Sequence, residues 1–209
     1  MARSKTSKRW LKEHFDDPYV KQAQAQDLRS RACFKLTELQ QKYQLIRPGQ
    51  VIVDLGAAPG GWSQLAARWS KGCGSIIALD LLPIEPLEGV EFIQGDFTED
   101  GPLVALEQQI GEKAVDLVLS DMAPNISGMQ AVDLPRAMYL VELALDFARG
   151  HLKMGGSMLV KVFHGEGFDA FLSAARTCFS KVKITKPKAS RPRSREVYIL
   201  ARGFRGPRS

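Results

Sequence analysis

Five charged residues stand at or near the ends of apolar runs: Asp54 in VIVDL, Asp80 closing SIIALD, Asp96 closing VEFIQGD, Asp121 closing VDLVLSD, and Lys161 in SMLVKVF. Between the first two lies a small-residue turn, GAAPGG, which opens into WSQLAARWS. Taken singly, each aspartate is equally a helix cap or a turn former. Taken as a series, acids of this kind accept hydrogen bonds from sugar hydroxyls or an exocyclic amine, and a lysine beside them handles a proton. The chemistry in view is that of a nucleoside-like ligand held next to a proton-transferring group.

The glycine turn narrows that ligand. A strand that runs through glycines into a helix often presents backbone N–H groups to an anion. Here the residues after Gly56 lack the Gly-Lys-Ser/Thr ending of a phosphate-binding loop. Ala58 occupies the second glycine of a dinucleotide fingerprint, and Pro59, which has no N–H, follows it. Pyrophosphate is poorly served, which argues against a nicotinamide oxidoreductase even though Asp80 would suit an adenosine ribose. Asp80 follows Gly60 by 20 residues, the spacing at which an acid commonly binds ribose hydroxyls. Asp96, one strand further along, is placed for an adenine amine, and Trp62 at the helix start for packing near the ligand. Adenine and ribose without phosphate describe S-adenosylmethionine, the candidate cofactor, with Asp54 and Gly56 of the first strand and its turn among the expected contacts.

Such residues share one edge only if strands and helices alternate. Apolar runs predict strands at 51–55, 75–80, 90–96, 115–121 and 157–163, separated by the helical patterns WSQLAARWS, PLVALEQQI, PRAMYLVELALDFARGHL and FDAFLSAARTCF. An N-terminal helix, RSRACFKLTELQQKY, runs from about Leu28 to the break at Arg47-Pro48-Gly49. Alternation of this kind predicts right-handed crossovers and an α/β, doubly wound, mainly parallel sheet. KVKIT and EVYILAR follow one another without a helix between them, so they add an antiparallel C-terminal hairpin. In an open sheet of this type ligands gather at the carboxyl ends of the strands, where the five charged residues lie.

At 209 residues, 44% hydrophobic and 25% charged, the chain fits one globular domain, residues 1–209, with a basic N-terminal extension to about residue 27. Its apolar runs are far shorter than the ~20 residues of a membrane span. No apolar segment follows MARSKTSKRWLK, so a cytoplasmic location is the default. Cys33, Cys73 and Cys178 form no C-x-x-C pair and His14, His151 and His164 have no ligand spacing, so no metal is expected. Residues 1–12 carry five Lys/Arg and no acid and residues 181–209 carry ten against Glu196 alone, so the two ends hold +14 and the chain between them −8. A basic run is often a solvated tail, but the arginines of KASRPRSREVYILARGFR flank a strand pattern and suit phosphates of nucleic acid better than a membrane surface. Monomer is the default, since no interface stripe is evident.

DLGAAPGGWSQ, then ALD at 78–80, QGDF at 94–97, SDMAPNISG at 120–128 and VKVFHGEGF at 160–168, in this order, resembles the FtsJ-like ribose 2′-O-methyltransferases. The resemblance runs from about Trp10 to about Arg202, and RSRACFKL and SREVYI fall where that family has them. It is strongest to bacterial members that methylate a uridine ribose of 23S ribosomal RNA in the large ribosomal subunit. It implies a seven-stranded, Rossmann-like class I methyltransferase fold, S-adenosylmethionine as cofactor, and ribosomal RNA or the large subunit as partner. It also implies a catalytic set of Lys35, Asp121, Lys161 and Glu196, and cofactor contacts at Gly60, Trp62, Asp80, Asp96 and Asp121. Without the resemblance, Lys35 and Glu196 read as ordinary exposed charges. Ala58 departs from the glycine of the more general methyltransferase turn.

A ribose 2′-hydroxyl is a poor nucleophile and must lose its proton as the methyl group arrives in line, so a base and an approach angle are both required. In the expected division of labour Lys161 receives or steers the proton, Asp121 orients Lys161, and Lys35 and Glu196 fix the ribose. The same chemistry on tRNA and a catalytically idle RNA-binding module are the alternative readings. The loop MAPNISGMQAVDLP is expected over the substrate entrance, and the stripe Met138, Leu140, Val141, Leu145 and Phe147 is expected in the core.

Overall fold

The structure is a computed structural model and describes residues 17–125 and 127–206. The basic segment 1–12, His14 and Ile126 lie outside the described residues.

The apolar runs form a sheet of seven strands: β1 (Val51–Leu55), β2 (Ser75–Asp80), β3 (Glu91–Gln94), β4 (Val115–Ser120), β5 (Leu152–Phe163), β6 (Phe179–Thr185) and β7 (Glu196–Phe204). Their spatial order is β3-β2-β1-β4-β5-β7-β6. β1 to β5 pair in parallel, and β7 lies antiparallel to both β5 and β6. The doubly wound sheet with its antiparallel C-terminal hairpin is therefore as expected.

The helices are α1 (Pro18–Ala25), α2 (Ala32–Tyr43), α3 (Gly61–Ser70), α4 (Asp100–Ile110), α5 (Gln130–His151) and α6 (Phe168–Cys178). On one face, Leu36 and Leu39 of α2 and Trp62 and Leu65 of α3 pack with Ile52, Leu117 and Leu159. On the other, Leu106 of α4, Val141 and Leu145 of α5 and Phe171 of α6 pack with Val53, Leu55 and Val118. Successive residues of β1 thus enter different cores, which is why its run is apolar on both faces. Each aliphatic or aromatic side chain so enclosed contributes about 1.5–3 kcal/mol.

Four segments differ from the sequence reading. The helix expected from about Leu28 begins at Ala32, and within the basic extension α1 precedes it. α1 is capped by the Asp17 carboxylate, which accepts from Tyr19 N at 2.9 Å, and it buries Ala23 with Phe34 and Ala189. β3 covers only Glu91–Gln94, leaving Asp96 in the following turn. β5 starts at Leu152, opposite Val115, with an irregular stretch before regular pairing resumes at Ser157. α5 starts at Gln130 and includes Pro135. Asp133 holds its approach by accepting from Ser127 N, Ser127 Oγ and Gly128 N at 2.8, 2.7 and 3.0 Å. Among the described residues no helix is long and apolar enough to cross a membrane.

Candidate active site

β1 lies between β2 and β4, so successive connections leave it in opposite directions and the chain opens there. Beyond the carboxyl ends of these strands is a crevice of about 660 Å³, with Gly56, Asp80, Asp96, Asp121, Met122 and Tyr139 among its lining residues. Gly56 is required at this point. Its φ is +76°, and a Cβ would fall 2.9 Å from both N and Cα of Met122, so any side chain would push the β1 turn away from the β4 turn.

Asp80 and Asp96 also organise the crevice wall. Asp80 accepts from Ala58 N through Oδ2 and from Leu82 N through Oδ1, both at 2.8 Å. A carboxylate has about four lone-pair sites, so further acceptor capacity remains for a ligand hydroxyl. Asp96 Oδ1 accepts from Thr98 N at 2.9 Å and Thr98 Oγ1 at 2.7 Å.

Three expected cofactor contacts do not line the crevice. Gly60, with φ +96°, caps α3 and is roofed by Arg29, whose guanidinium donates to the carbonyls of Pro59, Glu85 and Pro86 at 3.3, 2.6 and 3.0 Å. The Trp62 ring, expected near the ligand, is not among the residues lining the crevice. The ring is 3% exposed in the core, donates from Nε1 to Ala32 O at 2.9 Å, and lies 5.8 Å from the Tyr198 ring. Asp54 is buried and accepts from Ser63 Oγ at 2.6 Å, so it acts from beneath the turn. Desolvation, with the charges of Asp121 and Asp80 adding to it and hydrogen bonds from Ser63 opposing, pushes its carboxyl up to about 7.

The four residues of the implied catalytic set come together. Lys161 Nζ donates to Asp121 O at 2.6 Å and pairs with Asp121 Oδ1 at 3.1 Å. Lys35 Nζ pairs with Glu196 Oε1 at 2.7 Å, and Glu196 also accepts from Ser190 Oγ at 2.8 Å. Lys35 and Lys161 are each only 7% exposed, so reading Lys35 as an ordinary exposed charge is corrected. Glu196, whose side chain is 12% exposed and ion-paired, is corrected with it. A buried ion of this kind is tolerated only when paired and hydrogen-bonded.

Tyr198, not singled out in the sequence, joins the two pairs. Its hydroxyl donates to Asp121 Oδ1 at 2.7 Å, and Lys35 Nζ lies 5.6 Å from its ring centroid. The signal was its position two residues after Glu196, hence on the same face of a strand. Burial alone would raise the Asp121 carboxyl, but the Lys161 and Lys35 charges and the Tyr198 hydroxyl outweigh it and hold the group below the ordinary carboxylate range. Burial first, then the Asp121 and Glu196 charges, keeps the Tyr198 phenol protonated well above its usual value. The result is a lysine ammonium with two contacts to one aspartate and a third N–H for a further acceptor.

The FtsJ-like methyltransferase family model matches residues 28–204. Ribosomal RNA large subunit methyltransferase E of Legionella pneumophila is 60% identical over 204 residues, covering 98% of this chain and 99% of its own. The protein of the same name from Pseudomonas aeruginosa is 59% identical over 206 residues, covering 99% and 100%. A solved ribosomal RNA methyltransferase from Plasmodium falciparum superposes with TM-score 0.76 at 30% identity, over 86% of this chain and 100% of that one. The fibrillarin/Nop5p complex, at 19% identity and TM-score 0.56 over 76% of this chain and 75% of that one, shares the fold.

Proposed function

From the premise that the chain belongs to the FtsJ-like methyltransferase family, we propose that it transfers a methyl group from S-adenosylmethionine to a ribose 2′-hydroxyl of large-subunit ribosomal RNA. The target implied by the resemblance is a uridine of the 23S RNA, presented by the large subunit. The observation that carries the reading is the Lys161–Asp121 pair beside the crevice, with the Lys35–Glu196 pair bound to it through Tyr198. In the same reading one methyltransferase domain works as a cytoplasmic monomer, and its basic N-terminal extension meets the RNA.

The crevice fits the cofactor on its own chemistry. Its volume is that of a site for a nucleoside-sized ligand, its wall carries three carboxylates, Asp80, Asp96 and Asp121, against the single arginine Arg136, and the turn from Gly56 to Gly61 has no lysine or arginine for phosphates. Asp80 would hold the ribose hydroxyls, Asp96 the adenine amine, and Asp121 the end nearest Lys161. When bound, the cofactor supplies an electrophilic methyl group on a sulfonium.

The chain supplies position and proton handling. Lys35 and Glu196 hold the target ribose, a rigid clamp because each is fixed by the other and by its burial. Lys161 Nζ meets the 2′-hydroxyl: as the ammonium it steers the group by donating its third N–H to the hydroxyl oxygen, and once it has released a proton to solvent the neutral amine takes the proton that leaves as the new C–O bond forms. Asp121 fixes the Lys161 rotamer and stabilises its positive charge, and Tyr198 fixes Asp121. Low exposure of both lysines excludes water, which strengthens each of these contacts.

The test is methyl-labelled S-adenosylmethionine with tRNA, free ribosomal RNA and ribosomal subunits from cells lacking the enzyme, followed by alkaline digestion of the RNA. Alkaline cleavage needs a free 2′-hydroxyl, so label is expected in resistant dinucleotides of the 23S RNA. Label in mononucleotides would mean that a base is modified and would remove Lys161 from the reaction. Label confined to tRNA would transfer the assignment there.

A further inference from the structure

Three cations converge on one ring at the β6 edge of the sheet. Lys42 Nζ lies 5.3 Å, Lys183 Nζ 5.5 Å and the Arg202 guanidinium carbon 5.9 Å from the Tyr43 centroid, and Arg202 also donates to the Tyr43 carbonyl. Lys181 stands directly opposite Arg202 in the β6–β7 pair. Like charges directly opposite one another destabilise a sheet. Yet none of these four cations has an acidic partner among the described residues, and the acid nearest in sequence on β7, Glu196, is taken by Lys35. Positive charge is therefore concentrated here, with no acidic side chain among the described residues to offset it.

This cluster is continuous with the catalytic one. Lys161, Tyr198 and Thr185 form one row across β5, β7 and β6, and the Tyr43 hydroxyl donates to Thr185 Oγ1 at 3.3 Å. Two strand spacings put Thr185 about 10 Å from Lys161. Lys183 and Lys181 follow on the same face of β6. On the helix above, Lys42 lies seven residues beyond Lys35, about 10 Å along the axis of α2.

We infer that Lys42, Lys183 and Arg202, gathered on Tyr43 with Lys181 beside them, form a phosphate-binding strip for the RNA segment that flanks the methylated ribose. The inference rests on the RNA reading above and adds the path the RNA takes: from Lys35 and Tyr198 outward over α2 to the β6 edge. Three cations crowd the tyrosine ring, so it serves to array charge and not to stack a base. The contacts are therefore to the sugar–phosphate backbone, indifferent to sequence and sensitive to salt.

The experiment uses Lys42→Gln/Lys183→Gln, with Lys71→Gln/Lys113→Gln as an equal loss of charge at exposed sites elsewhere on the surface. Binding of a fluorescent 23S RNA fragment is measured against salt concentration, and methyl transfer to large subunits is measured beside it. The strip variant is expected to bind RNA about tenfold more weakly at physiological salt, with a salt slope shallower by about two. Its kcat and cofactor affinity should stay at the wild-type level, and the control pair should keep the wild-type slope. An unchanged slope in the strip variant, the same change in the control pair, or no RNA binding by the wild type would overturn the strip. A wild type that binds RNA but transfers no methyl group to it overturns the reading of function, while the slopes still decide the strip.

Discussion

Lys161 and Tyr198 are direct partners across the antiparallel β5–β7 pair, and both side chains end on Asp121 Oδ1, the ammonium at 3.1 Å and the phenol hydroxyl at 2.7 Å. One carboxylate oxygen is thus gripped from two strands at once. Asp121 sits just past the end of β4, where its own N–H reaches Leu55 O at 3.3 Å, so three strands and the β1 end set its position. A lysine held by so constrained a partner has one orientation in which to meet a substrate.

Removing the phenol hydroxyl should therefore reach catalysis through Asp121. In Tyr198→Phe the ring and its packing on Trp62 remain, while one hydrogen bond to a charged group, about 1.5–3 kcal/mol, is lost. Turnover is expected to fall by about ten- to a hundredfold with cofactor affinity unchanged. Since that hydrogen bond helps hold the Asp121 carboxyl down, its loss raises the group, and the acid limb of the pH–rate profile should move to higher pH. A profile superimposable on wild type would show that the contact does not matter to the reaction.

Lys161→Ala tests the proton-handling role directly. General acid–base groups contribute about 10²–10⁴-fold, so kcat should drop by that order while calorimetric binding of S-adenosylmethionine stays near wild type. Lys161→Arg should not rescue it, because a guanidinium does not give up its proton in a protein. Wild-type turnover in either variant would sink the assignment.

The Lys35–Glu196 pair predicts a difference between stability and activity. Glu196→Ala leaves the Lys35 ammonium buried and unpaired, which costs about 3–5 kcal/mol, read as a lower urea midpoint. Lys35→Met/Glu196→Leu should regain most of that stability while remaining inactive on RNA. If the double variant turned over RNA normally, the pair would be structural only.

Asp54 makes stability depend on pH in an unusual sense. Its carboxyl is raised from 3.8 to about 7 in the folded state, so the folded chain keeps a proton that the unfolded chain has already released. Stability from this group is fully present below the unfolded value, is lost as pH rises toward about 7, and stays level above it. Asp54→Asn should flatten that slope, by an amount on the order of 4 kcal/mol, in urea titrations across this range. A slope equal to wild type would place the proton elsewhere.

Much of the fold was legible because its signals are local. Apolar runs of strand length, helical patterns between them and the absent helix before EVYILAR determined a parallel sheet ended by an antiparallel hairpin. The acids at strand ends were legible for the same reason, since in such sheets those ends form the crevice. Boundaries were less so. The start of α5 depends on Asp133 tying down Ser127 and Gly128, and Pro135 inside that helix pointed the other way.

What the sequence by itself determined is the order of elements and the residue types available to the site. What only the tertiary structure decided is which of those residues meet and which face inward. Lys35 and Glu196 are 161 positions apart and meet because β7 pairs with β5 in the register that sets Glu196 against Phe163 and Tyr198 against Lys161. A slip of one residue would turn both β7 side chains to the other face. Likewise the amphipathic Trp62, free in sequence to face a ligand or a core, is drawn inward by the Ala32 carbonyl and the Tyr198 ring. Pairing register and competition for burial are properties of distant segments brought together, so no local pattern in the chain could carry them.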